Sequence, residues 1–261
     1  MKFAIDHDLH IHSFLSRCSR DPQQTNERIL QYAVERGLHT ICLTNHFWDE
    51  TVDGIPKWYQ EQGYAHISKA LPLPQTEGVR FLFGCEADLR SDLTLGLAKE
   101  NYDKFDLILI PTTHFHFPFN LTDEDRANKA RAWVKRLDAV LNMDLPFHKV
   151  GLAHLTCGLI ERDDRVKYLA ILNAISDGEL TRLFTKAAKL GVGIELNFGD
   201  MKLEPNEQET ILRPYGIAKQ CGCKFFLGTD AHTVAHLETI TGRFERAIEL
   251  LGLTEDDKFI I

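Results

Sequence analysis

Residues 7–12 read HDLHIH, three histidines and an aspartate within six positions. Side chains alternate faces along an extended chain. Asp8, His10 and His12 therefore fall on one side of a strand, with Leu9 and Ile11 on the other. A carboxylate and two imidazoles within a few ångströms suit a divalent cation, and imidazole is the commonest metal ligand. The competing reading is a polar strand end with two solvated histidines, and the rest of the chain must decide. Metal-capable side chains recur at His46 in TNH, Glu86 in GCEAD, His114 in PTTHFH, His154 in GLAHL, Glu195 in IELN, and Asp230 and His232 in GTDAH. His116 competes with His114 from two residues further on.

These groups close seven apolar, strand-like runs: 3–9, 39–45, 79–87, 105–111, 149–155, 192–198 and 223–231. Helical periodicity lies between them, over 27–36, 123–141 and 243–251. Ser176 and Glu179 have capping-box spacing, and Gly37, Gly191 and Gly222 mark helix ends. Short, non-alternating strands separated by helices predict a parallel sheet covered by helices. In α/β barrels the C-terminal strand ends converge on one mouth. A closed or nearly closed barrel thus gathers the scattered ligands into one volume, which an open sheet does not. Any one of these residues is innocently explained as a loop histidine or a helix cap. Seven decorated ends are not, and a carboxylate after a buried run is costly without a cation. His7 is expected to point away from Asp8, toward the core. His39, His66, His148 and His236 read as ordinary surface or loop residues.

With 261 residues and 44 % hydrophobic content, the chain reads as one α/β domain over 1–261. A net charge of −8 argues against a broad surface for nucleic-acid backbone. Six cysteines form no CxxC pair, which points to reduced thiols and the cytoplasm. Met1 leads directly into the first run, and no apolar run nears 18 residues, so neither a leader nor a membrane span is expected. Oligomeric state is open.

The ordered set DLHIH, TNH, GCE, TTH, LAHL and GTDAH resembles the PHP (polymerase and histidinol phosphatase) family, from Asp8 to His232. The resemblance implies a distorted (β/α)7 TIM-like barrel. It also implies two or three divalent ions at the mouth, usually zinc, manganese or iron, and hydrolysis of phosphoesters. By that resemblance His10, His12, Glu86 and Asp230 hold one ion and form the catalytic group. Glu86 bridges to a second, held also by His114 and His154, and a third falls to His46 and His232. Many members place a further histidine six residues after the second histidine of the first motif. Here that position is Cys18, in SFLSRCSRD. Either its thiolate substitutes, being a good zinc ligand, or it is a free thiol and the third ion is weak or absent.

Mixed nitrogen and oxygen ligands around a bridging carboxylate make a two-metal hydrolytic site. The expected reaction is in-line attack by a metal-bridging hydroxide on a small phosphomonoester such as histidinol phosphate, with no phosphoenzyme. Asp8 and Glu195 are expected to support a ligand or touch substrate. Arg17, Arg20, Arg90, Arg162 and Arg213 lie on segments that could reach the mouth; Arg17, Arg20 and Arg162 lead, and at least one should clamp phosphate. The aromatic segment 47–74 is either a lid that stacks substrate or a mini-core. Two alternatives stand. A nuclease or nucleotide phosphodiesterase is disfavoured by the acidic charge and the lack of a polymerase body. An amidohydrolase-like enzyme would want a strand-end lysine where Glu86 stands.

Overall fold

The computed structural model describes residues 1–240 and 242–261. Among them, nine short strands form two parallel sheets. One holds β1 (His7–Ile11), β2 (Thr40–Leu43) and β4 (Arg80–Phe83), in the order β1-β2-β4. The other holds β3 (His46–Phe47), β5 (Cys85–Ala87), β6 (Ile108–Pro111), β7 (Val150–Ala153), β8 (Gly193–Asn197) and β9 (Lys224–Gly228), in chain order.

The nine strands are the seven expected runs with two of them broken. Run 39–45 gives β2, with β3 starting just past its end, and run 79–87 gives β4 and β5. At the first break Thr44 Oγ1 and Asn45 Oδ1 accept from the backbone of Ile11 and Ser13, so side chains join the backbone bonds there. At the second break Gly84 passes close to its neighbours: an added Cβ would lie 2.6 Å from the Leu107 carbonyl and 2.8 Å from Cys42 Sγ. The first run differs too. Lys2 bridges Thr254 in isolation and the strand begins only at His7, so Asp8 and His10 lie inside it and His12 just past its end.

β9 returns beside β1, joined by a single parallel bridge between Ile11 and Ala231. Asp230 N donates to His10 O at 2.7 Å, and His12 N donates to Ala231 O at 3.0 Å. Below them side chains fill the seam: His7 Nε2 accepts from Leu227 N, and Asp8 Oδ1 accepts from Thr229 N.

The helices are α1 (Asn26–Arg36), α2 (Tyr64–Ile67), α3 (Asp123–Ala127), α4 (Lys129–Val140), α5 (Arg165–Asn173), α6 (Asp177–Leu190), α7 (Gln208–Gln220), α8 (Val234–Glu238) and α9 (Arg243–Leu251). Thr25 caps the start of α1 and left-handed Gly37 its end; Ser176 and Gly191 do the same for α6. The single helix expected over 123–141 is two. Asn128 leaves helical geometry (φ −138°, ψ 80°), and its side chain caps α4 by accepting from Arg131 N. Among the described residues no helix is long and apolar enough to cross a membrane.

The main core lies between strands and helices and includes Ile11, Tyr32, Ile110, Trp133 and Phe184. A smaller cluster of Leu9, Cys42, Leu82, Leu109, Ala153, Phe226 and Phe259 packs separately, drawing on strands of both sheets. The register shift between Asp8 and Ile11 puts Leu9 in the smaller cluster and Ile11 in the larger.

Candidate metal centre

Glu86 stands at the centre. It faces His46 across the β3–β5 register, is 1 % exposed, and neither carboxylate oxygen has a hydrogen-bond partner. His46 Nδ1 lies 2.9 Å from its Oε2, with His12 Nε2 and His10 Nε2 at 3.5 and 3.7 Å. His154 Nε2 and His114 Nε2 lie 3.5 and 3.7 Å from Oε1. Asp230 completes the ring of donors. Its Oδ1 is 3.0 Å from His12 Nε2 and 3.4 Å from His10 Nε2, and its Oδ2 is 3.6 Å from His154 Nε2. His232 Nδ1 is 3.6 Å from Asp230 Oδ1.

These spacings match the edges of a coordination polyhedron. Metal–nitrogen bonds of about 2.0–2.1 Å imply tetrahedral donor separations of roughly 3.3 Å. The donors also group as the ions require, each group within 4.8 Å: His10, His12 and Glu86; Glu86, His114 and His154; His12, Cys18, His46 and His232. A buried carboxylate without a partner costs several kcal/mol, and a cation among these donors removes that cost. The residues present therefore fit divalent ions.

Electrostatics tie the cluster together. Burial alone would raise Glu86 and Asp230 and lower His46 and His154. Mutual attraction outweighs it, holding both carboxylates well below and both imidazoles well above their ordinary ranges. His10 is pulled up to about 10 against its burial by Glu195, Asp230 and Glu86. Burial pushes the Cys18 thiol up, but the imidazoles of His12 and His46 carry it down further, to about 3.

Behind the donors stand carboxylates that aim them. Glu195, fully buried in β8, accepts from His10 Nδ1 at 2.7 Å and from His154 N at 2.8 Å. Gly228 on β9 makes room for it; a Cβ there would lie 2.1 Å from Glu195 Oε1 and 2.7 Å from His10 Cβ. Asp88 accepts from His114 Nδ1 at 3.0 Å and from the Tyr59 hydroxyl at 2.6 Å. His154 and Asp230 hold left-handed backbone, with φ of 58° and 53°. Such strain gathers at functional sites.

The expected residues fall into three sets. His10, His12, His46, Glu86, His114, His154, Asp230, His232 and Cys18 come together. Glu195 lies behind them, accepting from His10 Nδ1. Asp8 does not lie with His10 and His12. The register shift after it turns it toward α1, where it accepts from the Tyr32 hydroxyl, Thr229 N and Thr229 Oγ1. It therefore anchors the residue before Asp230 and touches His10 only at its backbone N, from which Oδ1 accepts at 3.3 Å. Burial lifts its carboxyl to about 6. His7 turns from the centre and pairs with Asp6 and Leu227 N. His116 stays half-buried on the cavity wall, and burial, His114 and Arg162 lower it to about 3.

The donors open into a cavity of about 600 Å³, lined also by Arg17, Arg20, Trp58, Phe117, Arg162 and Asp200. Arg90 and Arg213 do not reach it. Arg90 pairs with Asp92 and the Asp53 and Gly54 carbonyls, and Arg213 with Asp177 and the Leu172 and Ile175 carbonyls. The aromatic segment divides likewise. Phe47, Trp48 and Tyr59 are buried, a mini-core, while Trp58 stands edge-on to His46 at 4.8 Å on the cavity wall.

Two acidic residues escaped the sequence reading. Asp88 follows Glu86 at strand spacing in GCEAD, so period-two alternation was the available signal. Asp200 follows β8 on a turn with no such pattern. Its Oδ2 is buried and unpartnered, and burial raises its carboxyl to about 7.

Comparison with solved structures finds the histidinol phosphate phosphatase of Lactococcus lactis subsp. lactis Il1403, crystallised with zinc, L-histidinol and phosphate. It is 17 % identical, with a TM-score of 0.56 over 98 % of this chain and 99 % of that one, a likeness of fold. Fainter likenesses are to a chain of archaeal ribonuclease P with mature tRNA (15 % identity, TM-score 0.40, 94 % and 87 % covered) and to a probable 2-pyrone-4,6-dicarboxylic acid hydrolase of Acinetobacter baumannii with citric acid bound (15 %, 0.40, 95 % and 99 %). No curated protein sequence matches the chain. The PHP domain model, in contrast, matches residues 8–197. Well over half of the sequence lies in that match, and the chain belongs to the PHP domain family.

Proposed function

We propose that residues 1–261 act as one metal-dependent phosphomonoesterase domain on a small phosphorylated metabolite, with histidinol phosphate the leading candidate. One observation carries this reading. Glu86 is buried with both oxygens unpartnered among five imidazoles, and the cluster opens onto an arginine-lined cavity. The fold likeness to a phosphatase crystallised with zinc, L-histidinol and phosphate supports the substrate class and favours zinc over manganese or iron.

His10, His12, Glu86 and Asp230 would hold one ion, and Glu86, His114 and His154 a second. Ions so held supply Lewis-acid activation of water and of phosphoryl oxygens. The chain's own groups do the rest. Glu195 and Asp88 accept the Nδ1 protons of His10 and His114, leaving each Nε2 lone pair toward Glu86. Arg17, Arg20 and Arg162 bring positive charge to the cavity for the phosphoryl oxygens. Trp58 and Phe117 wall the cavity against bulk water. The six free cysteines fit a reducing compartment, and we propose the cytoplasm; fractionation with an oxidising compartment would count against it.

The test is a metal assay with a hydrolysis screen over phosphorylated metabolites and synthetic mono- and diesters. Monoester turnover with at least two bound ions, lost in His10→Ala, is expected. Heavy oxygen from labelled water should enter the released phosphate. Turnover of diesters alone, or metals bound without phosphoester turnover, overturns the proposal.

A further inference from the structure

We propose that Cys18 binds as a thiolate and, with His46 and His232, forms a sulfur-containing metal site that rejects manganese, an ion the nitrogen and oxygen donors around Glu86 can take. The inference rests on the cluster being a metal centre, and refines that reading.

Donor atoms of Cys18, His12, His46 and His232 lie within 4.8 Å of one another. His12 Nε2 is 3.0 Å from Asp230 Oδ1 and 3.1 Å from His10 Nε2, so it belongs to the neighbouring group. Three protein donors then remain. Zinc sites with three protein ligands keep an open position for water or substrate. Cys18, His46 and His232 all line the cavity, beside Arg17 and Arg20, so that position faces substrate.

The loop that presents Cys18 is held by serines. Ser16 N donates to Ser13 O and Ser19 N to Ser16 O, both at 2.9 Å. Ser16 Oγ lies 3.2 Å from Cys18 Sγ and 3.1 Å from His12 Nδ1, and accepts from His46 N at 3.3 Å. Ser19 Oγ donates to the His232 carbonyl at 2.7 Å. One turn thereby positions the sulfur against three imidazoles from three parts of the chain. Cys42 and Cys85, by comparison, are enclosed in apolar core.

Binding forms a sulfur–metal bond through a thiolate lone pair, so no S–H bond has to break. Thiolate is soft and favours zinc, whereas carboxylate and water suit manganese and magnesium. Zinc or cobalt should therefore fill this position where manganese does not.

The probe is cobalt(II) titrated into the full-length protein. Wild type should show visible ligand-field bands, a near-ultraviolet sulfur-to-cobalt band and three bound equivalents. Cys18→Ser should lose the sulfur band and one equivalent but keep the ligand-field bands. Cys157→Ser, altering the cysteine near His154, should keep everything. Cys18→His should regain the third equivalent without the sulfur band and bind manganese there. Zinc, but not magnesium, should slow alkylation of wild-type Cys18 at least tenfold, a readout that needs no folded variant. A sulfur band that is absent beside normal ligand-field bands, or that persists in Cys18→Ser, overturns the inference alone. Absence of any bound metal overturns the metal-centre reading itself.

Discussion

Glu195 grips His10 from behind, and its worth is measurable because glutamine has nearly its shape. A carboxylate behind a ligating imidazole fixes the tautomer and strengthens the ligand; losing it typically costs 10–100-fold in metal affinity or activity. Glu195→Gln should show a loss of about that size in kcat/KM and in chelator competition, with unchanged circular dichroism. His10 sets a pH dependence as well. In the metal-free protein Glu195, Asp230 and Glu86 raise it to about 10 against burial, so it is protonated at neutral pH. A metal must displace that proton. Metal binding near pH 7.5 should release protons, seen as a buffer-dependent enthalpy, and affinity should climb until pH reaches about 10. Proton uptake would reverse the argument. The same shift stabilises the metal-free fold, because the folded value exceeds the unfolded one of about 6.5. That stability is complete below the unfolded value and fades as pH rises through about 10. The candidate ligands were legible because imidazoles and carboxylates seldom end apolar runs by accident. Asp8 was misplaced because alternation cannot foresee a register shift.

Elements position these residues through contacts that periodicity does not encode. Arg136, on α4, is 1 % exposed and donates to the carbonyls of Leu89, Arg90, Thr112 and Asn120. Those carbonyls lie on the segments that carry Asp88 and His114. Burial lowers its guanidinium to about 10, still charged at neutral pH. No carboxylate is hydrogen-bonded to it among the described residues. Its work is to gather four backbone acceptors with one rigid fork. Arg136→Met strands several buried carbonyls and should cost about 3–5 kcal/mol, read as a lower denaturant midpoint at unchanged slope. Arg136→Lys keeps the charge but not the fork, so it should recover little. Equal stability of Lys and wild type would show that charge alone matters. From the sequence, Arg136 was one more polar residue in a helical pattern. The break after β2 and the split at Asn128 were hidden because each involves a side chain bonding to the backbone, and the break at Gly84 because it rests on a close approach of the backbone to its neighbours. The strand and helix order itself needed only local hydrophobic pattern, and it was readable.

At the scale of the whole chain, ions would fasten the place where the fold meets itself. β1 and β9 share one backbone bridge, supplemented by His7 and Asp8. Above it, donors on and just past β1 (His10, His12) face donors after β9 (Asp230, His232) and Glu86 on β5. A ligand that binds only the folded state at a hundredfold over its Kd adds about 2.7 kcal/mol. At 2–4 °C per kcal/mol for a chain near this size, two such ions correspond to roughly 10–20 °C in Tm. Chelation should lower Tm by that amount, reversibly on adding zinc. The loss should also be local at first. Without ions the seam keeps one bridge and a set of buried carboxylates and imidazoles held only by each other, whereas β6 and β7 keep a ladder of four paired positions. Hydrogen exchange after chelation should therefore rise first at residues 8–12 and 228–232, before β6 or β7 responds. Uniform exchange across all strands, or no change in Tm, would mean that the donors close the seam by themselves and that no ion holds it.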